Sequence, residues 1–183
     1  MNRTPAPRPT QTGLRRLARF AVITACVFIG AMWVYAFLFA SRESINKIND
    51  AQWAQRSQVR CQQAATERTA LTDFTRIDEK DASTLLQRAI IVDKATDTLE
   101  AMVNDIAKDT PSDAKGQALV PMWIADYRTY IEDRRDYTED LRAGRLPTFA
   151  ETKVDGVPIS ERIGKFAREN KMRACQPPFD LVV

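Results

Sequence analysis

Apolar positions along the 183-residue chain follow two different patterns. From Phe20 to Ala40 (FAVITACVFIGAMWVYAFLFA) 21 residues pass without a charge, with Thr24 the clearest polar exception. About 20 apolar residues, each adding about 1.5 Å of helix, cross a hydrocarbon layer roughly 30 Å thick. Only a helix satisfies its own backbone there. The pattern predicts one transmembrane helix over 20–40. A cleaved leader fits less well, because its apolar run is usually about 7–15 residues. The sequence Leu38-Phe39-Ala40 also puts a bulky Leu where a small residue is wanted.

Beyond residue 40 the apolar positions become periodic. Ser41 to Leu71 has no Gly or Pro and only a sparse set, Ile45, Ile48, Trp53, Val59, Ala64 and Leu71. It reads as a polar continuation of the membrane helix, needing neighbours along one stripe or standing as a stalk. Leu85, Ala89, Val92, Leu99, Val103 and Ile106 recur at alternating spacings of four and three, broken at Thr96. With Asp81 as N-cap and Thr110-Pro111 as stop, they predict the clearest amphipathic helix. A third helix is expected from Gln117 to Ala143, burying Trp123, Ile124, Tyr127, Ile131, Tyr137 and Leu141, with Pro121 tolerated in a first turn and Gly144 as C-terminal cap. Residues 145–160 look irregular, and Asp155-Gly156 can close a small hairpin. Ser160 is a candidate cap for a shorter fourth helix carrying Ile163, Phe166 and Ala167 and fading near Ala174. The expected fold is all-α: a transmembrane helix continuing into an antiparallel bundle of three to four helices.

Charge adds direction. The net charge is +3, yet residues 1–40 hold Arg3, Arg8, Arg15, Arg16 and Arg19 and no acid. All 24 acidic residues therefore follow residue 40, against 27 less 5, or 22, basic ones. A nucleic-acid binder would carry its excess on the folded part, so that class is set aside. The basic flank puts the N-terminus in the cytoplasm by the positive-inside rule. Expected are a basic, disordered cytoplasmic tail over 1–19, a plasma-membrane span over 20–40 and an extracytoplasmic helical domain over 41–183. Arg15-Arg16 faintly resembles a twin-arginine signal, but adjacent arginines in a basic flank are common by chance.

The candidate chemistry is thin. Cys26 falls inside the span and reads as an apolar filler. Cys61 and Cys175 are the remaining cysteines, and outside the cytoplasm they can form a disulfide. A metal or redox role lacks CxxC spacing, and the chain has no histidine. That also removes Ser-His-Asp and Cys-His catalysis, leaving only lysine or paired-carboxylate chemistry open. Asp78-Glu79-Lys80-Asp81 lacks the spacing and glycine of an EF-hand and reads as a loop entering a helix. No cofactor or metal is expected. From Asp126 to Tyr137, tyrosines alternate with charges. That stretch is either a solvated helix face laced by pairs such as Arg128–Glu132 and Arg135–Glu139, or an interaction face built on Arg128, Tyr130, Arg134 and Arg135.

Three segments carry a resemblance: the span with its Trp33-Val34-Tyr35 end, the Asp126-to-Tyr137 stretch, and Val154-Asp155-Gly156-Val157-Pro158-Ile159-Ser160. Together they are similar to a family of uncharacterised single-span bacterial membrane proteins. The resemblance implies a bacterial envelope location and no particular activity. The function expected is a non-enzymatic interaction or accessory role, with the lipid bilayer and another membrane or envelope protein as partners. The alternative is an extracytoplasmic small-ligand sensor or binding domain; a tail of about 19 residues leaves no room for an output domain, so it would need a separate partner.

Overall fold

The computed structural model describes residues 11–39, 44–71, 78 and 81–181. It divides into two units between Glu43 and Ser44. The first contains α1 (Gln11–Leu38), the one helix among the described residues long and apolar enough to cross a membrane. Its large apolar side chains, Phe20, Phe28 and Leu38 among them, are exposed rather than packed on protein. Helix α1 begins at Gln11, so part of the tail expected to be disordered is helical. The last tail proline is Pro9. After it, Leu, Arg and Ala are good helix formers that extend the apolar helix backwards. Residues 1–10 lie outside the described part.

The second unit is mostly helical: α2 (Ala51–Thr69), α3 (Ala82–Ile106), α4 (Ala114–Arg142), a hairpin of β1 (Lys153–Val154) and β2 (Val157–Pro158), then α5 (Ile159–Glu169). A 3₁₀ turn follows at 173–175. Helices α3 and α4 run antiparallel: Thr96 meets Arg134, whereas Asp93, a turn earlier, meets Thr138, a turn later. The core centres on Trp53, Trp123, Tyr127 and Phe166; Trp123 stacks on Phe166 at 5.4 Å and meets Tyr127 edge-on at 5.1 Å. A smaller cluster joins Leu85, Ala89, Val92, Tyr137, Leu141 and Leu181.

Four expectations need correction. First, the span does not run unbroken into the bundle: residues 44–50 are non-helical and α2 starts afresh at Ala51. Their backbone polar groups are bound elsewhere. Ile48 N donates to Asn170 Oδ1 at 2.8 Å, Asn170 Nδ2 donates to Asn46 O, and Asn49 and Asp50 N donate to Asp113. Second, the buried stripe of α2 is Trp53, Ala54, Ser57, Cys61 and Ala64, while Ile45 and Val59 are exposed. Third, α4 starts at Ala114, so Pro121 lies past its first turn. Asp113 is the reason: its carboxylate accepts Gly116 N at 2.9 Å and caps the helix three residues earlier than expected. Fourth, Ser160 is not a cap; it lies inside α5, and Glu151 accepts both its N (2.8 Å) and its Oγ (2.9 Å).

Other local signals hold. Asp81 caps α3 by accepting Ser83 N, and Gly144 ends α4 at φ +75°. Asp155 (φ 53°) and Gly156 (φ 78°) form the two-residue hairpin turn in the left-handed region that Asp and Gly tolerate best. Helix α5 ends at Glu169, short of Ala174.

Candidate functional site

The chain after α5 crosses the bundle as a strap, and nearly every residue of it is held. Cys175 is disulfide-bonded to Cys61, 114 residues earlier, with both cysteines buried. Tyr127 Oη donates to Cys175 O at 2.8 Å, and Tyr130 Oη donates to Pro178 O at 3.0 Å. Ala174 N donates to Gln58 Oε1 at 2.9 Å. Asp180 receives both Nη atoms of Arg134 at 2.7 and 2.9 Å, and its carbonyl accepts Arg88 Nη2 at 2.9 Å. Leu181 then enters the smaller core.

Between these fixed neighbours Phe179 stands 81% exposed. It borders a cleft of about 250 Å³, walled by Tyr130, Phe149, Pro178 and Leu181, with Gly164 as floor. A β-carbon at 164 would come within 3.0 Å of Arg168 Nη1, so the missing side chain leaves the floor low. Glu161 and Arg168 add charge to the lining. A second recess of about 420 Å³ lies between α4 and α5, where Leu119, Met122, Trp123 and Phe166 sit among Asp126, Arg162 and Lys165.

Electrostatics tie the strap down. Burial pushes the Asp180 carboxyl up, but the paired Arg134 overrides it and holds Asp180 below the ordinary carboxylate range. Burial would likewise lower Arg134, and Asp180 holds it above its usual value. Tyr127 is raised by burial, so it stays protonated and donates throughout the physiological range. Arg134 also gives its Nε–H to Thr96 Oγ1 at 2.9 Å and stacks over the Tyr130 ring at 5.8 Å. The break that Thr96 makes in the apolar pattern of α3 is thus the socket for a buried arginine.

No family model, curated protein or solved structure matches the chain. Geometry alone bears on function.

The four residues expected to share an interaction face do not share one. Arg134 is wholly buried and Tyr130 is 2% exposed. Arg135 turns to α3, where Asp93, Asp97 and Glu100 receive it instead of Glu139. Arg128 is exposed, beside Pro121 and Ile124 in a separate recess. The burial of Tyr130 and Arg134 and the pairing of Arg135 follow from partners on α3 and the strap that lie far off in sequence. Cys61 and Cys175 are brought together as expected. Cys26, in α1, is a free thiol. Among the described residues no group of three or more His, Cys, Asp or Glu is placed to hold a metal ion.

Sequence reasoning missed Phe179 and Asp180. Their signal was present in Pro177-Pro178-Phe179-Asp180-Leu181. Two prolines stop any helix, and an apolar, acidic, apolar sequence after a cysteine marks a segment that packs.

Proposed function

We propose that the protein is a membrane-anchored, non-enzymatic interaction protein of the bacterial envelope. Helix α1 is the anchor, the N-terminus is cytoplasmic and the helical domain faces outward. One observation carries the interaction role: Phe179 is displayed at 81% exposure on a backbone pinned on both sides. A large aromatic held in place before binding loses little freedom on docking, which is what makes such residues hot spots. The cleft beside it offers an apolar wall to the same partner, another membrane or envelope protein. The arginines before the span and the disulfide fit an outward domain, because structural disulfides persist in oxidising compartments. The resemblance to single-span bacterial membrane proteins agrees.

One carboxylate of the cleft lining, Glu151, is spent on Ser160 at the start of α5, which supports a non-catalytic reading. A photo-crosslinking residue at position 179 in intact membranes is expected to capture one defined protein. Adducts to the chain alone at several expression levels would refute the reading.

The recess of about 420 Å³ between α4 and α5 favours a second reading, a small-ligand binding domain, since ligand sites usually span about 300–1,000 Å³. A reproducible ligand-dependent rise in melting temperature, lost in Met122→Arg, would favour it over the first.

A further inference from the structure

One face of α5 runs along the cleft beside Phe179. Glu161, Gly164 and Arg168 follow one another at spacings of three and four, so they lie in line on that face, and all three border the cleft. Glu161 stands at one end and Arg168 at the other, about 10 Å apart along the axis at 1.5 Å per residue. Gly164 lies low between them. Arg168 is steadied by its Nη1, which donates to Gln176 Oε1 of the strap at 3.2 Å. In the lining, Tyr130 and Phe149 meet edge-on with ring centres 6.0 Å apart and give the cleft an aromatic wall.

The two ends differ in sign, and neither is matched by an opposite charge. Among the described residues the Glu161 carboxylate makes no ion pair or hydrogen bond; Arg162, next to it in the chain, turns instead to Asp126 on α4. Arg168 has only the neutral Gln176. Exposed charges contribute little to folding. At the rim of an apolar cleft they steer a partner and fix its register. The size of the cleft decides what enters. About 250 Å³ is below the roughly 300–1,000 Å³ of an ordinary ligand site and suits one inserted side chain. In an extended segment, side chains two residues apart share a face at about 7 Å from each other. Charges placed two residues either side of an inserted apolar residue therefore come within reach of Glu161 and Arg168.

Resting on the reading of Phe179 as a docking residue, we propose that the cleft receives an extended segment of the partner protein, with an apolar side chain over Gly164, a basic residue at Glu161 and an acidic residue at Arg168. Phe179, exposed at the edge of the cleft, closes over the inserted side chain. The aromatic wall supplies the apolar contact, and the minus-to-plus order along α5 selects the flanking charges.

The test uses the full chain in phosphatidylcholine nanodiscs and fluorescence anisotropy of labelled, capped peptides. Each peptide has a central leucine with charged residues two positions either side and alanine elsewhere. One carries a lysine and a glutamate, one two lysines and one two glutamates. The mixed peptide is expected to bind tighter than either of the others by about threefold to fivefold, the scale of one exposed ion pair. Glu161→Lys should move the preference to the two-glutamate peptide, and Arg168→Glu to the two-lysine peptide. Glu161→Gln and Arg168→Gln, which remove a charge without reversing it, should fall between. Glycine in place of the central leucine should weaken all three. Equal binding of the three peptides, a preference that the two reversals leave unmoved, or a glycine-centred peptide as tight as its leucine parent would overturn the site. Capture of a protein at position 179 without the switch keeps the interaction reading and sinks this site; the switch without capture does the reverse.

Discussion

Arg134 is a charged side chain with no exposed surface, and its stability depends on a neighbour 46 residues away. Asp180→Ala would strand the guanidinium among Thr96 and Tyr130. The expected loss is about 3 kcal/mol in urea unfolding, the low end for a broken buried pair. The low end applies because about a third of the Asp180 side chain meets water. Replacing both partners with apolar residues (Arg134→Met with Asp180→Leu) should recover most of it, since no charge is then left unpaired. Arg56→Ala, at an exposed pair with Asp109, is expected to cost far less, because solvent screens that pair. Equal costs for Asp180→Ala and Arg56→Ala would mean that Arg134 is hydrated. The sequence put Tyr130, Arg134 and Arg135 on a surface because their side chains are polar. Their counterparts, Asp180, Pro178 and Asp93, sit more than forty residues away, where helical periodicity carries no information.

Helices α2 and α4 are joined start to start by two exchanged caps. Asp50 accepts Trp53 N on its own helix and Ser112 N and Oγ from the segment before α4. Asp113 accepts Gly116 N on its own helix and the Asn49 and Asp50 N–H groups in return. Asp113→Ala is expected to cost about 1–2 kcal/mol, the upper range for an N-cap, because two helix starts lose their tie. The N–H groups of Ser112 and Trp53 hold the Asp50 carboxyl down at about 2. A carboxyl lower in the folded chain than in the unfolded one stabilises fully above about pH 4, its unfolded value. That contribution is lost as pH falls towards 2. Urea midpoints measured between pH 5 and pH 2 should drop across that window, and the drop should shrink in Asp50→Asn. The caps at Asp81 and Gly144 and the Asp155-Gly156 turn were legible because each is made within a few residues. The break at 44–50 was not, because its backbone partners Asp113 and Asn170 lie 63 and 122 residues on.

At the scale of the whole molecule, the disulfide and the strap close the second unit on itself, from its first helix to its last described residues. The pairing was legible because only two cysteines lie outside the apolar run; the path of the strap was not, since it is neither helical nor periodic. Changing Cys61 and Cys175 together to Ala is expected to cost about 4–5 kcal/mol, the chain-entropy value for so long a loop. Urea unfolding of that double variant checks it, and a loss under about 1 kcal/mol would show that the strap's hydrogen bonds hold without the covalent tie.

The same 114-residue gap sets a schedule for biosynthesis. A ribosome adding about 5–20 residues per second delivers the second cysteine on the order of ten seconds after the first. Throughout that interval the Cys61 thiol travels without its mate, and in an oxidising compartment any other thiol can capture it. Newly made chains chased for a few seconds should therefore carry mixed disulfides through Cys61, which disappear as Cys175 arrives to displace them.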